Sequence, residues 1–354
     1  MTRIVHSFRA MNTEVQIVID SGSEGEARTA ARRVEAMFAE TEHALSRFLP
    51  ESELSALNLS AGRPFRASPL LLRTVAEALT AARETDGLFD PTVLNALLAA
   101  GYDRSFELLN DGTRYSEHQD GDLELLGVRA GDLCRRGGGP VGVSPCPSPS
   151  LPVSLSPRPA GSPLPRPSFC WRDVVVDRRS STITLPPNTG LDLGGIGKGW
   201  TVDRAAEVLR RFDNFVVDAG GDIYAAGTQD DGAPWTVGVE DPTNRGRDVA
   251  VLAVRDRAVV TSTTSRRRWV LQGQERHHLI DPRTGHPAAS GVASVTAIAS
   301  SAARAETLAK AALLLGPREG ILFLEERGVK GILVLDGGHL ELTPSLQKEL
   351  QHAS

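Results

Sequence analysis

Four glycines, an aspartate and a lysine lie within ten residues of one another, in the segment LDLGGIGKGW at residues 191–200. Glycines let a backbone approach a ligand closely, and the first turn of a helix offers unpaired N–H groups to an anion. We expect a helix to begin near Gly199, where the ammonium of Lys198 would add a positive charge. The segment therefore predicts phosphate binding, and a tight structural turn is the alternative interpretation.

Two known phosphate-binding patterns do not fit this segment. A Walker loop would need a glycine where Asp192 stands and a hydroxyl where Gly199 stands, and the glycine spacing of a Rossmann motif is also absent. Three later segments place glycines, hydroxyls or a histidine beside predicted strand ends, at residues 220–221, 261–262 and 278–284. Taken singly, each of these has an ordinary structural explanation as a turn.

The overall composition excludes several classes of partner. The chain has 354 residues and a formal net charge of −5, so no basic surface indicates nucleic acid. No apolar run approaches the ~20 residues that span a membrane. The first twenty residues lack the apolar stretch and the cleavage site of a signal peptide. We therefore expect a cytoplasmic protein that acts on small molecules and proteins.

A proline-rich stretch divides the chain. Residues 137–168 contain ten of the 22 prolines and show no hydrophobic period, so they cannot bury enough surface to fold. We predict a disordered insertion at residues 136–170, with residues 1–135 and 171–354 forming two parts of one domain. The three cysteines, Cys134, Cys146 and Cys170, lie in or near this stretch without metal-ligand spacing, and we expect no function for them.

The remaining sequence predicts an α+β fold. Before the insertion, residues 14–20 alternate like a half-buried strand, and helices are expected over residues 32–48 and 69–87, the second with Ser68 as its N-cap. After it, seven short segments rich in β-branched residues predict strands, followed by a last strand at residues 331–336. Helices are expected over residues 202–212, 301–315 and 319–326. This order favours a mixed sheet with helices on its faces.

Taken in order, eight segments resemble the FAD:protein FMN transferases, the ApbE-like flavin transferases. They are AMNTEVQI, SRFLPESELSALN, FDPTVLNALLAAGY, LDLGGIGKGWTVD, VVDAGGDIYAAG, VVTST, HLIDPRTGHP and SVTAIASSAARAETLAKAALLLG. The resemblance implies a single-domain, T-fold-like α+β fold with a largely antiparallel sheet. It also implies an enzyme that uses Mg²⁺ to move the FMN unit of FAD onto a threonine hydroxyl of an acceptor flavoprotein, releasing AMP.

The resemblance also assigns roles to individual residues. It places the flavin contacts on Met11, Phe48, Ala100, Gly101, Tyr102, Asp192, Lys198 and Ile280. It makes His278 the general base for the acceptor hydroxyl, and Asp281 is the second candidate. It places the metal shell at the carbonyl of Gly195 and at the side chains of Glu306 and Lys310. The apolar members suit a flavin ring, Asp192 suits ribose or ring edges, and Lys198 suits phosphate.

The predicted metal site departs from the family pattern. The resemblance implies an aspartate and, four residues later, a threonine on one helix face, whereas this chain has Glu306 and Lys310. A carboxylate still offers oxygen, but an ammonium cannot ligate Mg²⁺. The two side chains could instead form an i,i+4 salt bridge. Asn12 and Thr263 also stand where the family often has glycine.

Three functions therefore stay open. The first is an active flavin transferase with a modified metal site. The second is an FAD pyrophosphatase that gives FMN and AMP, in which water replaces the acceptor hydroxyl. The third is a flavin-binding protein with weakened catalysis, for which Lys310 is the reason.

The insertion itself gives a first prediction. Deleting residues 137–168 and joining the ends with a short Gly/Ser linker is expected to leave FAD affinity and the thermal midpoint nearly unchanged. The reason is that loop length costs only ~0.6 kcal/mol per doubling. Flavin titration and thermal unfolding of the shortened chain test this, and lost flavin binding would contradict it.

Overall fold

The computed structural model describes residues 2–109, 171–244 and 246–352. The predicted insertion at residues 136–170 and the three cysteines lie outside the described residues, so the domain boundaries stay predictions. Within the described part of the chain, no helix combines the length and the apolar character needed to cross a membrane.

Helices predominate in the first part of the described chain, and a long run of strands precedes the last helices. The helices are α1 (Glu24–Leu45), α2 (Glu53–Leu59), α3 (Pro69–Glu84), α4 (Leu94–Ala99), α5 (Gly197–Leu209), α6 (Ala302–Leu315), α7 (Pro317–Glu326) and α8 (Pro344–His352). The strands are β1 (Thr2–Ala10), β2 (Thr13–Ser21), β3 (Pro64–Arg66), β4 (Val175–Asp177), β5 (Thr182–Thr184), β6 (Asn214–Ala219), β7 (Asp222–Ala226), β8 (Trp235–Glu240), β9 (Asp248–Val254), β10 (Arg257–Thr263), β11 (Arg268–Leu271), β12 (Gln274–His277), β13 (Ile280–Asp281), β14 (His286–Pro287), β15 (Val292–Ala299), β16 (Lys330–Leu335) and β17 (Leu340–Leu342).

An eight-stranded sheet forms the centre of the fold, in the order β1-β2-β6-β7-β10-β15-β16-β17. Every neighbouring pair in it is antiparallel. Alternate residues of a strand point to opposite faces, so Val217 packs with the helices while Val216 packs on the other side. The predicted α+β fold with a largely antiparallel sheet is confirmed.

The two faces of the sheet are covered differently. Helices α1, α5, α6 and α7 pack on one face and enclose the main core. The other face carries the β8–β9 hairpin, with Trp235, Val237 and Leu252 buried beneath it, and Leu346 of α8. The long helices thus lie on one face only, because the apolar residues of the β8–β9 hairpin already cover the other.

A smaller unit of α2, α3 and the three-stranded sheet β3-β5-β4 packs around a second core. Leu191, Leu193 and Ile196 are buried in this core. The backbone between them is therefore fixed, and the glycine-rich segment is held between the second core and the start of α5.

Several elements differ from the sequence predictions at their ends. Helix α1 begins at Glu24 behind an N-cap at Ser23, well before the predicted start, because its first turns bury small alanines that give a weak hydrophobic pattern. Helix α5 begins at Gly197 rather than near Gly199. Strand β1 was not predicted, since much of it is exposed and it ends in a turn at Met11 and Asn12, which both have positive φ.

Candidate active site

Two adjoining cavities lie where the glycine-rich segment meets the sheet. The larger, of about 1150 Å³, is lined by Lys198, Asp222 and Glu306 among others. The smaller, of about 110 Å³, is lined mainly by apolar side chains, with Asp192 and the glycines at its edge. The residues that line both cavities are Gly194, Arg267, His278, Leu279 and Lys310. This junction therefore joins a charged region to an aromatic one.

Aromatic rings form one side of the smaller cavity. Tyr102 stacks on the buried Trp269 with ring centroids 5.2 Å apart, and Phe48 lies 5.5 Å from Tyr102. Ile280 also lines this cavity. Phe48, Tyr102 and Ile280, predicted from the sequence as flavin contacts, are thus brought together on a surface that suits a planar ring.

Arg47 covers part of this aromatic surface. Its guanidinium carbon lies 4.1 Å from the ring centre of Phe48 and 4.6 Å from that of Tyr102. Its Nε donates to Asp192 Oδ2 at 2.5 Å, while its buried Nη2 has no hydrogen-bond partner. Arg47 lines neither cavity, so its guanidinium packs against these two rings without facing the space that a ligand would enter. Asp192 therefore orients Arg47, in addition to lining the cavity itself.

Three of the predicted flavin contacts lie behind the cavity walls rather than in them. The carbonyl of Ala100 accepts a hydrogen bond from Trp269 Nε1 at 2.9 Å. A Cβ at Gly101 would lie 3.3 Å from the same nitrogen, so the glycine leaves room for the indole. Met11 packs against the main core, and its neighbours Asn12 and Thr13 line the larger cavity in its place. Ala100 and Gly101 support Trp269.

Two neighbouring histidines have different surroundings. His277 is buried, and both ring nitrogens have partners, Ala288 O at 3.0 Å and the N–H of Leu279 at 3.3 Å. His278 lies at the junction of the cavities, and its buried Nδ1 has no hydrogen-bond partner among the residues that the structure describes. Burial, with the nearby cations Arg267 and Lys310, holds the pKa of His278 well below 6.5. His278 is therefore a neutral imidazole at pH 7, as a general base must be.

The carboxylate of Asp281 pairs with Arg283 rather than facing either cavity. Arg283 Nε lies 2.9 Å from its Oδ1, Arg283 Nη2 lies 2.8 Å from its Oδ2, and the backbone N–H of Arg283 also donates to it. Asp281 lines neither cavity. Its carboxylate fixes the turn after β13, and the structure gives no support to the prediction that it acts as a base.

Lys198 and Asp222 form a buried ion pair in the larger cavity. The side chain of Lys198 is 18% exposed and that of Asp222 is 3% exposed. Burial raises the pKa of Asp222, and the ammonium of Lys198 opposes the rise. Asp222 begins β7 directly after the Gly220–Gly221 turn, so the sheet places this carboxylate against the first turn of α5.

Lys310 bridges the two groups that were predicted to hold a metal. Its Nζ donates to the carbonyl of Gly195 at 2.7 Å and to Glu306 Oε1 at 2.9 Å. The other carboxylate oxygen of Glu306 accepts the N–H of Gly199 at 2.9 Å. Burial raises the pKa of Glu306, but Lys310 and Lys198 outweigh burial, and the net pKa is lowered. The predicted salt bridge is therefore present.

These residues do not fit a magnesium ion. The ammonium of Lys310 already contacts both oxygens that would ligate the metal, and an ammonium offers no lone pair. Nowhere in residues 2–109, 171–244 and 246–352 do three His, Cys, Asp or Glu side chains group in a way that could hold a metal ion. Octahedral Mg²⁺ needs several oxygens at about 2.0–2.1 Å.

Comparison with known proteins identifies the family of this chain. A model of the ApbE family matches residues 11–333. The chain belongs to the ApbE family. The match begins at the turn after β1 and ends in β16, so it takes in both cavities of this ApbE-family chain.

Individual relatives agree with this. A protein named FAD:protein FMN transferase from Vibrio cholerae is 32% identical over 164 residues, covering 45% of this chain and 49% of the relative. One of the same name from Treponema pallidum is 37% identical over 147 residues, covering 38% of this chain and 41% of the relative. The chain thus spans about half the length of the curated relatives it matches, or less. The crystal structure of the ApbE protein from Thermotoga maritima has a TM-score of 0.75 at 25% identity, covering 98% of each chain.

Close packing in this ApbE-family chain depends on Gly199. A Cβ there would lie 2.6 Å from the backbone oxygen of Ala302 and 2.8 Å from the nitrogen of Ala303. Gly199→Ala is expected to lower the free energy of unfolding by about 1–3 kcal/mol, because α5 and α6 must move apart. Gly197→Ala is the control, since nothing lies within 4 Å of a Cβ there. Denaturant unfolding measures both, and equal stabilities would contradict the prediction.

Four residues in or beside the two cavities were missed by reasoning from the sequence. They are Arg47, Asp222, Arg267 and Trp269. Arg47 and Asp222 stand in segments that were singled out for other residues, and the RRRW run at residues 266–269 was a signal that could have been followed. The pairing of Arg47 with Asp192, 145 residues away along the chain, could not be recognised from local spacing.

Proposed function

We propose that this chain transfers the FMN unit of FAD to a threonine hydroxyl of an acceptor protein, with release of AMP. The observation that carries the proposal is the junction itself, where His278 and Lys310 line both the charged and the aromatic cavity. A flavin dinucleotide combines planar rings with a pyrophosphate, so it matches this pairing of surfaces. The names of the relatives support the same activity.

The two cavities suggest how FAD would bind. One ring system would lie against Phe48, Tyr102 and Ile280, which line the smaller cavity. The pyrophosphate would lie at the junction, within reach of the ammonium groups of Lys198 and Lys310. Fixed cations beside phosphate stabilise charge that develops in phosphoryl transfer. The Nδ1 of His278, a residue that lines both cavities, is a buried polar atom for which a bound ligand could supply a partner.

The chemistry requires one proton acceptor. The threonine oxygen attacks the phosphorus of the FMN half, the bond from that phosphorus to the bridging oxygen breaks, and AMP leaves with the bridging oxygen. The hydroxyl proton passes to the neutral imidazole of His278. Lys198 and Lys310 face the charge on the departing phosphate. No step of this sequence needs Asp281.

The large cavity favours transfer over hydrolysis. Its volume of about 1150 Å³ leaves room for an acceptor segment beside the dinucleotide, whereas a pyrophosphatase needs room only for water. The placement of His278 at the junction argues against a protein that only binds flavin. An acceptor flavoprotein with a target threonine and a cytoplasmic location stay predictions of the sequence, while the contacts of Lys310 argue against the predicted need for Mg²⁺.

One incubation distinguishes the three functions. Purified chain is mixed with FAD and a threonine-bearing peptide taken from an ApbE-type acceptor, and the products are separated by mass spectrometry. Flavinylated peptide with an equal amount of AMP is expected. A peptide with serine in place of the threonine tests whether another hydroxyl is accepted, and a peptide with alanine at that position is the blank. FMN with unmodified peptide would indicate a pyrophosphatase, and unchanged FAD would overturn the proposal.

A further inference from the structure

The ammonium of Lys310 is mostly buried and is held by neighbouring polar groups rather than lying free on the surface. Its side chain is 15% exposed, and that of its partner Glu306 is 3% exposed. It donates to a backbone carbonyl and to a carboxylate at 2.7 and 2.9 Å. A lysine ammonium has three N–H donors, so one is left without a partner in the described part of the chain. Because Lys310 lines both cavities, this donor is available to a ligand at the junction.

The backbone at Gly195 is shaped around this lysine. A Cβ there would lie 3.4 Å from Lys310 Nζ and 2.9 Å from Cε2 of Phe89. A side chain at this position would therefore crowd both the ammonium and the aromatic wall. The glycine lets its carbonyl and the ammonium meet.

The charges around Lys310 are already matched. Glu306 pairs with Lys310, and Asp222 pairs with Lys198, so each of these buried carboxylates has its own cation. A divalent cation placed between Gly195 and Glu306 would meet an ammonium at the same point and be repelled by it. The neighbouring carboxylates therefore do not leave an unmatched negative site for a metal.

We propose that Lys310 is a built-in cation that replaces a divalent metal beside the pyrophosphate of FAD, so that FAD binds without any metal. This inference rests on the proposed binding of FAD. Glu306 is then a positioning residue, which holds the ammonium through Oε1 while its Oε2 is fixed by the N–H of Gly199. Lys198 supplies the second cation on the other side of the junction.

Titration with FAD, followed by flavin fluorescence, tests the inference on the complete chain. FAD affinity is expected to be the same in EDTA and in excess Mg²⁺. Lys310→Met is expected to weaken FAD binding about 10- to 100-fold in both conditions, the loss typical of one charged hydrogen bond. Riboflavin has no phosphate, and its affinity is expected to stay unchanged.

Two further variants separate charge from folding. Lys310→Met leaves the buried carboxylate of Glu306 without its cation, so the double variant Glu306→Gln/Lys310→Met keeps the site neutral and is expected to show the same loss of FAD affinity. The variant Glu306→Asp/Lys310→Thr is expected to bind FAD weakly in EDTA and to recover with Mg²⁺. Lys330→Met is the control, because Lys330 pairs with Glu349 away from both cavities and its loss is expected to leave FAD affinity unchanged.

The outcomes are distinct. The inference would be overturned if the unaltered chain bound FAD only with Mg²⁺. It would also be overturned if the Glu306→Gln/Lys310→Met variant bound FAD as tightly as the unaltered chain. Either result would leave the proposed transfer intact. Metal-free binding of FAD without any flavinylated peptide would overturn the transfer and leave the inference intact. No FAD binding in either condition would overturn both.

Discussion

Replacing His278 by alanine is expected to lower the rate of flavin transfer about 10²- to 10⁴-fold, while FAD still binds. The neutral imidazole at the junction of the two cavities is the proposed proton acceptor, and the aromatic rings and the lysines that would hold FAD are separate side chains. Single-turnover transfer to the acceptor peptide measures the rate, and fluorescence titration measures FAD affinity.

A histidine outside the site provides the control. His339 is exposed between β16 and β17, and His339→Ala is expected to leave both quantities unchanged. Transfer by His278→Ala at the rate of the unaltered chain would show that another group accepts the proton.

The pH dependence of transfer gives an independent test of His278. Burial first, and then Arg267 and Lys310, lower its pKa well below 6.5. A base works in its deprotonated form, so the rate is expected to stay constant as the pH falls from 7 to 6.5 and to decline only at lower pH. Single-turnover rates across this range provide the measurement. A decline centred at or above pH 6.5 would contradict the assignment.

Lys198→Met is expected to lower the free energy of unfolding by about 3–5 kcal/mol, because it leaves Asp222 as an unpaired charge in the interior. The same variant is expected to lose FAD affinity, since one of the cations that line the larger cavity is gone. Denaturant unfolding and FAD titration measure the two effects.

A second substitution separates them. Asp222→Asn in the Lys198→Met background removes the buried charge, so the double variant is expected to regain most of the lost stability. FAD affinity is expected to stay low, because the cation is still missing. If stability and FAD affinity recovered together, Lys198 would serve only to neutralise Asp222.

The sequence was most informative about the sheet. Alternation such as Val15, Ile17 and Ile19 in β2 predicts one buried face, and the structure places these three side chains in the main core. Strand β1 was not predicted, because much of its surface is exposed and apolar and polar residues therefore alternate only weakly along it. The first turns of α1 escaped because alanine, the residue buried there, is common in exposed and buried helices alike.

The candidate site was predicted less completely, for a different reason. Local spacing identified the glycine-rich segment and Lys198, since those residues are neighbours in the chain. Trp269 Nε1 bonds to the carbonyl of Ala100, 169 residues away, and no local pattern encodes such a contact. The residue types at positions 306 and 310 indicated an altered metal site, but only the structure places the ammonium of Lys310 on the carbonyl of Gly195.

The pairing of the two lysines with carboxylates also decides at which step, folding or ligand binding, their side-chain entropy is lost. A free lysine side chain loses up to about 2 kcal/mol of rotamer entropy when it is fixed in one position. Lys198 and Lys310 are fixed by Asp222, Glu306 and a backbone carbonyl as the chain folds. This loss therefore opposes folding rather than ligand association, and an anionic ligand meets two cations that are already ordered.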